Sequence, residues 1–175
     1  MENGSDCGKI RAATCVINDR SEFLDAVRAI SHSFGTHIIC FDADKLAGVA
    51  HARMAVAHAA RSWASESPIA KTFEMEALLY AAGSRQTSLG SSFGVHTGRN
   101  RMYVCCSPFC EGVWDELSAL MFFFDESDPW GIIDREKESA LMRLFDINPL
   151  ELSTLVGEAI QDLVLERVAL LEVSR

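Results

Sequence analysis

The sequence has no long hydrophobic run, and this absence limits the kind of protein it encodes. Its longest apolar stretches, such as Ala119–Phe124, are far shorter than the roughly 20 residues of a membrane-spanning helix. The first residues are polar, with Asp6 ahead of any basic side chain, and they lack the basic start and apolar centre of a secretory signal. We therefore expect a cytoplasmic protein with no membrane partner.

Catalytic motifs are also missing. The chain has no G-x-S-x-G nucleophile elbow and no glycine-rich loop that would cradle a phosphate. His51 and His58 are seven residues apart on a predicted helix, roughly 10 Å along its axis, which is too far for one metal ion. Because no acid, base and nucleophile come together, we predict a protein that is not an enzyme. We expect no cofactor, no metal and no small-molecule substrate.

The six cysteines do not form a zinc-binding pattern, because Cys105, Cys106 and Cys110 lack a second ligand pair. Adjacent residues of a strand point to opposite faces of the sheet, so Cys105 and Cys106 do not converge on one ion. The interpretation we favour is buried, reduced thiols that pack as small apolar side chains. A cysteine-dependent enzyme that uses one of these three thiols is the alternative.

Positive charge is scarce but unevenly distributed. The formal net charge is −9, yet residues 45–101 hold seven basic and only three acidic side chains, while residues 111–175 hold five and fifteen. An acidic protein is a poor general ligand for nucleic acid, but one basic segment is compatible with local binding. Solvated helix faces explain the same charges, and the charge pattern does not choose between the two.

The hydrophobic pattern predicts a single α+β domain over residues 1–175, with a small, mostly antiparallel sheet packed with several helices. Short apolar or β-branched runs predict strands at Lys9–Ile17, His37–Phe41 and Arg101–Ser107. Helices are predicted from Asp19 or Ser21 to His32, from Asp42 or Asp44 to about Trp63, from Thr72 to Gly83, and over Ser84–Ser92, Glu111–Phe124 and Arg135–Phe145. Asn148-Pro149 is a typical helix start and opens a long final helix whose apolar stripe includes Leu152, Leu155, Val156, Ile160, Leu163, Val164 and Val168.

The segment Pro68–Gln86 contains the most informative local pattern. A predicted helix, with Glu74 and Glu76 in its first turn, ends at Gly83, and a second helix is predicted to follow at once with Arg85 and Gln86 in its first turn. Free helix N-terminal amides beside a guanidinium group and an amide suit a phosphate or a nucleotide edge. An ordinary helix–helix corner, with Arg85 solvated and Gln86 as a cap, is the alternative.

Four sequence pieces, in order across residues 37–107, resemble the archaeal form of the kinase-binding subunit of the KEOPS complex, a family related to the human PRPK-binding protein. At the corner this chain has Ser84 where the family often has glutamine, but the Arg-Gln pair is kept. The pieces are Phe41-Asp42-Ala43-Asp44 before a helix with His51; Pro68-Ile69-Ala70 before Phe73-x-Met75-Glu76; Ala82-Gly83-Ser84-Arg85-Gln86; and Phe93-Gly94-Val95.

The resemblance implies a non-catalytic subunit that supports threonylcarbamoyladenosine modification of tRNA. Such a subunit docks on the atypical protein kinase of the complex, and archaeal members bind the single-stranded 3′ CCA end of the tRNA. Splayed bases are recognised by stacking and edge contacts, and the backbone by positive charge. The RNA-binding residues this implies are Arg85 on a phosphate or base edge, Gln86 on a base edge, Lys71 and the Gly83–Ser84 backbone lining the pocket, and His51.

Two questions stay open at the level of sequence. A stand-alone small RNA-binding module would share the Arg85 corner without binding a kinase. Docking on a kinase needs an exposed apolar patch, and the run Phe122–Phe124 offers either one exposed phenylalanine or simple core packing.

Overall fold

A four-stranded antiparallel sheet is the centre of the fold, and its strand order is β2-β3-β1-β4. The computed structural model describes residues 8–65, 67–126, 128–154 and 159–174. The strands are β1 (Lys9–Ile17), β2 (His37–Asp42), β3 (Gly98–Ser107) and β4 (Phe122–Phe123). Together with the surrounding helices, this sheet confirms the predicted α+β class.

The described part of the chain forms eight α-helices, and across it no helix has the length and apolarity needed to cross a membrane. Four of them begin where the sequence predicts, because Asp19, Thr72, Asp134 and Asn148 each accept a hydrogen bond from the first turn of their helix. The helices are α1 (Arg20–Phe34), α2 (Val49–Ala64), α3 (Phe73–Ala82), α4 (Thr87–Ser91), α5 (Val113–Leu117), α6 (Arg135–Leu144), α7 (Pro149–Ser153) and α8 (Ala159–Val173).

Helices cover both faces of the sheet, so β2 is buried on two sides. Ile39 and Phe41 point into a core shared with α2, α3 and α8. Ile38 and Cys40 point the opposite way, into a second core with α1 and α5. This double burial explains why β2 has an unbroken apolar run rather than an alternating pattern.

Cys105 and Cys106 are buried, as predicted, whereas Cys110, which was expected to be buried with them, is only half-buried. Cys105 faces one core, and its neighbour Cys106 faces the other. Burial raises the pKa of Cys106 to about 12 and that of the half-buried Cys15 to about 11, so these thiols are protonated at neutral pH. The alternative of a thiolate nucleophile therefore gains no support at Cys106. Cys7 lies outside the described residues.

The predicted helix from Asp42 or Asp44 starts later than expected. The Asp42 carboxylate accepts the amide of Asp44 at 3.0 Å, but it caps only a single 3-10 turn over Ala43–Lys45. Gly48 then adopts a positive φ of 84°, and α2 begins at Val49. The chain needs this break to turn from the sheet into the helix direction, and glycine adopts the required conformation at low cost.

The predicted helix over residues 111–124 is wrong. Only Val113–Leu117 is helical, and Phe122 and Phe123 pair with Thr14 and Ala13 of β1 as the edge strand β4. The ring of Phe123 packs edge-on against Trp114, whereas Phe122 is 65% exposed. Pairing with β1 therefore overrides the local helical pattern.

The predicted final helix is observed as two helices. Helix α7 begins at Pro149 as expected, with Asn148 and Glu151 forming a reciprocal capping box, but it ends at Ser153. Residues 155–158, including the predicted core positions Leu155 and Val156, lie outside the described residues. The rest of the predicted stripe is confirmed, because four of its members on α8 are buried: Ile160, Leu163, Val164 and Val168.

Candidate functional site

Helix α3 ends at the predicted residue and in the predicted manner. Gly83 adopts the left-handed conformation with φ of 58°. Its amide donates to the carbonyl of Tyr80 at 3.0 Å, and the amide of Ser84 donates to the carbonyl of Leu79 at 3.1 Å. These two hydrogen bonds end the helix and turn the chain sharply, and Arg85 and Gln86 then lie at the surface.

The corner after Gly83 differs from the prediction in one respect. Helix α4 begins at Thr87, so Arg85 precedes it and Gln86 is its N-cap rather than part of its first turn. The Ser84 hydroxyl accepts the Gln86 amide at 3.1 Å, so this amide is not free for an anion. Because α4 has only five residues, its dipole adds little, and recognition at this corner rests on side chains.

The side chains of Arg85 and Gln86 stand exposed at the lip of a surface groove. Nη1 of Arg85 donates to the carbonyl oxygen of Ser174 at 3.4 Å, which holds the guanidinium group against the end of α8. Within the described ranges, no carboxylate lies within ion-pair distance of Arg85. Its charge is therefore available to a ligand.

The groove itself is apolar and lies between the corner, α6 and α8. It has a volume of about 340 Å³ and is bordered by three exposed leucines: Leu89, Leu144 and Leu170. Its floor is polar at one point, where Arg167 donates from Nη2 to Glu151 at 2.7 Å and from Nε towards the Phe145 carbonyl at 3.4 Å. Arg167 is thus committed to structural contacts, in contrast to Arg85.

The leucines of this groove were missed by the sequence analysis. Leu170 lies two residues beyond the inward-facing Val168 on α8, so it falls off the buried stripe and is 49% exposed. An apolar residue off the stripe of an amphipathic helix was the available signal. Leu89 and Leu144 had no comparable signal, because their meeting with Leu170 depends on how three helices pack.

Lys71 does not join this site. It is exposed just before the start of α3, whereas Gly83 follows the last residue of that helix. The ten residues of α3 separate the two by roughly 15 Å. The prediction that Lys71 lines the same pocket as Gly83 and Ser84 therefore needs a correction: a ligand would have to extend along the whole helix to contact both.

His51 is not available to a ligand. Its side chain is fully buried, it accepts the Ala47 amide at Nδ1 (3.0 Å), and Nε2 contacts the Ala81 carbonyl at 2.9 Å. Burial lowers the pKa of His51 to about 4, so the imidazole is neutral at physiological pH. The expectation of an RNA contact at His51 is corrected, because the ring is buried and joins α2 to the last turn of α3.

The groups that the corner presents are able to bind a ligand. It offers one unpaired guanidinium group, one exposed amide side chain and an apolar groove. Across the residues that the structure describes, no cluster of three or more His, Cys, Asp or Glu side chains is suited to a metal ion. Such a surface is able to hold a phosphate or a base edge at its lip and an apolar group in its groove.

The chain matches no protein-family model, and it has no match among curated proteins.

Proposed function

We propose that this protein is a non-catalytic RNA- and kinase-binding subunit of a KEOPS complex, which supports threonylcarbamoyladenosine modification of tRNA. The observation that carries the proposal is the exposed Arg85–Gln86 lip beside an apolar groove. The lip lies in the part of the sequence that resembles the family, and its side chains have no competing ion pair among the described residues. The ligand of the lip in this proposal is the unpaired 3′ CCA end of a tRNA.

The chemistry of a single-stranded end fits this lip. A guanidinium group recognises a phosphate or a base edge through two parallel hydrogen bonds, and an amide side chain pairs with a base edge. Unstacked bases also need apolar or aromatic surface to cover their faces. Arg85 and Gln86 supply the first requirement, and Leu89 at the near wall of the groove supplies the second.

Replacing Arg85 with alanine is expected to weaken binding to full-length tRNA about tenfold, because a charge-assisted contact is lost. The matched control is Arg99→Ala, which removes the same charge from an exposed position on β3 and should leave affinity nearly unchanged. Gel-shift titration at low salt measures both variants, with intact tRNA and with tRNA that lacks its terminal CCA. Equal binding of the two tRNAs, or equal losses for the two variants, would contradict the RNA site.

We assign kinase docking to the side of the apolar groove formed by α6 and α8, which leaves Leu89 to the RNA end, rather than to the phenylalanine run. Leu144 and Leu170 line this side of the groove, and Val173, three residues after Leu170 on α8, is 82% exposed. A clustered apolar patch of this kind marks a protein interface better than an isolated side chain. Phe122 is exposed but sits on an edge strand with one ring neighbour, Phe124.

The Leu170→Asp variant is therefore expected to lose co-purification with the KEOPS kinase, because a carboxylate would be desolvated in the interface. Phe122→Asp is the control, since it places the same charge at another exposed apolar position. Loss of the kinase with Phe122→Asp but not with Leu170→Asp would place docking elsewhere. If both variants and the parent bind tRNA but none retains the kinase, the stand-alone RNA-binding alternative is favoured.

A further inference from the structure

Strand β2 is one edge of the sheet, and a single hydrogen bond shows which of its backbone groups face outward. The amide of Asp42 donates to the carbonyl oxygen of Phe93 at 2.7 Å, on the side of β2 away from β3. Backbone groups alternate in direction along a strand. The amides and carbonyls of Ile38 and Cys40 therefore also point outward, whereas Phe41 and Ile39 pair with Tyr103 and Cys105 of β3.

These four outward groups have no hydrogen-bond partner in the described part of the chain. Natural edge strands are normally blunted by a charge, a proline or a covering segment, because unpaired groups template pairing with another strand. Here the edge opens into a groove of about 760 Å³ between α1 and α3. Its walls are apolar, with Leu24 and Val27 from α1 and Met75 and Leu78 from α3.

Both ends of the groove are fixed. At one end the segment Phe93–Val95 lies against β2, and Arg20 ties it to α1 by donating to the Val95 carbonyl at 2.8 Å and the Ser91 hydroxyl at 3.2 Å. At the other end the amide of Thr36 donates to the Ser31 carbonyl at 3.1 Å. The open edge between them spans Ile38 to Cys40, room for a strand of roughly three to five residues.

The rim of the groove near Thr36 carries one basic side chain from α1. Arg28 and His32 border the groove on α1, with Asp25 bound to Arg28 at 2.9 Å on its outer side. On the α3 side the carboxylate of Glu74 is hydrogen-bonded to Nδ1 of His37 at 2.8 Å. A ligand that enters here therefore meets the guanidinium group of Arg28 on one wall and, on the other, a carboxylate that is already hydrogen-bonded to His37.

We propose that this groove takes an extended peptide segment of a protein partner, which adds to β2 as a fifth strand. Its backbone pairs with the free groups of Ile38 and Cys40, small apolar side chains fill the walls, and an acidic residue at one end meets Arg28 and His32. A second copy of this chain fits poorly, because α1 and α3 recess the edge and two such edges cannot come within the roughly 4.8 Å spacing of paired strands.

The test uses the synthetic peptide acetyl-Glu-Val-Thr-Val-Thr-Val-amide and amide hydrogen exchange measured by NMR on the whole protein. At about 1 mM peptide, exchange at the amides of Ile38 and Cys40 is expected to slow about tenfold or more, while that of Val104 in the interior strand β3 is unchanged. The control peptide has N-methyl groups on alternate residues, which removes the strand hydrogen bonds and keeps the side chains. It is expected to bind at least about tenfold more weakly.

A protein variant checks the location. Leu78→Arg fills the groove from α3 and is expected to abolish protection by the peptide, whereas Ile132→Arg, at an exposed apolar position elsewhere, should retain it. No protection of Ile38 and Cys40 by the first peptide overturns the proposal. So does equal binding of the N-methylated peptide, which would indicate an apolar groove without strand pairing. Protection that rises with protein concentration and without peptide would assign the edge to a second copy instead.

Discussion

Replacing Glu76 with alanine is expected to lower the free energy of unfolding by about 3 kcal/mol, because three hydrogen-bond donors lose their acceptor. The Glu76 carboxylate is fully buried and accepts the amides of Ile69 at 3.2 Å and Ala70 at 2.7 Å, as well as the hydroxyl of Ser62. These hydrogen bonds link the segment that contains Ile69 and Ala70 to both α2 and α3. Urea denaturation of the variant and the parent protein measures the difference.

The chain offers a matched control in the same helical turn. Glu74 is half-buried at the rim of the β2 groove and is bound to His37, so Glu74→Ala should cost less than about 1 kcal/mol. The two variants remove the same charge from the first turn of α3. Equal losses would mean that the helix dipole, rather than the buried hydrogen bonds, accounts for the effect of Glu76.

Replacing His51 with glutamine, which does not titrate, is expected to make the free energy of unfolding depend less on pH below neutrality. The pKa of His51 is about 4 in the folded protein because of its burial, with the Ala81 contact opposing and the charge of Lys137 reinforcing the shift, whereas an unfolded histidine has its ordinary value of 6.5. Between these values the unfolded chain binds the proton and the folded chain does not. Stability is therefore retained above pH 6.5 and lost as the pH falls towards 4, by about 3 kcal/mol in total.

The comparison that isolates this histidine is between the parent protein and His51→Gln, each denatured by urea from pH 7 to about pH 4. The carboxylates that titrate in the same window are common to both proteins, so they cancel in the difference. The difference in the free energy of unfolding between the parent and the variant should become smaller as the pH falls, because only the parent loses the contribution of a neutral imidazole. Parallel curves would show that the pKa of His51 is the same in the folded and the unfolded protein, which would contradict its burial.

Glu74 and Glu76 have different environments, and the sequence does not predict this difference. The pattern places both in the first turn of a helix capped by Thr72, and this is confirmed. It treats them as equivalent, yet one is a buried acceptor and the other lies at a groove rim. The difference arises because α2 and the preceding segment approach only one side of α3, and no local signal encodes that approach.

The same limit applies to the candidate site. The sequence places Gly83, Ser84, Arg85 and Gln86 together because they are consecutive, and the structure keeps them at one exposed corner. The sequence also predicted that Lys71 and His51 belong to that corner. The length of α3 separates Lys71 from the corner, and His51 is buried. Arg85 has a groove beside it only because α6 and α8 fold back to the corner.

What the sequence determined by itself is local: the capped starts of α1, α3 and α7, the left-handed end of α3 at Gly83, three strands and the opposite orientation of Cys105 and Cys106. Each depends on a few neighbouring residues whose backbone preferences agree. Tertiary structure alone decided the strand β4, the depth of His51, the apolar groove beside Arg85 and the open edge of β2. These features depend on contacts between residues far apart in sequence, where packing and hydrogen-bond pairing outweigh local preference.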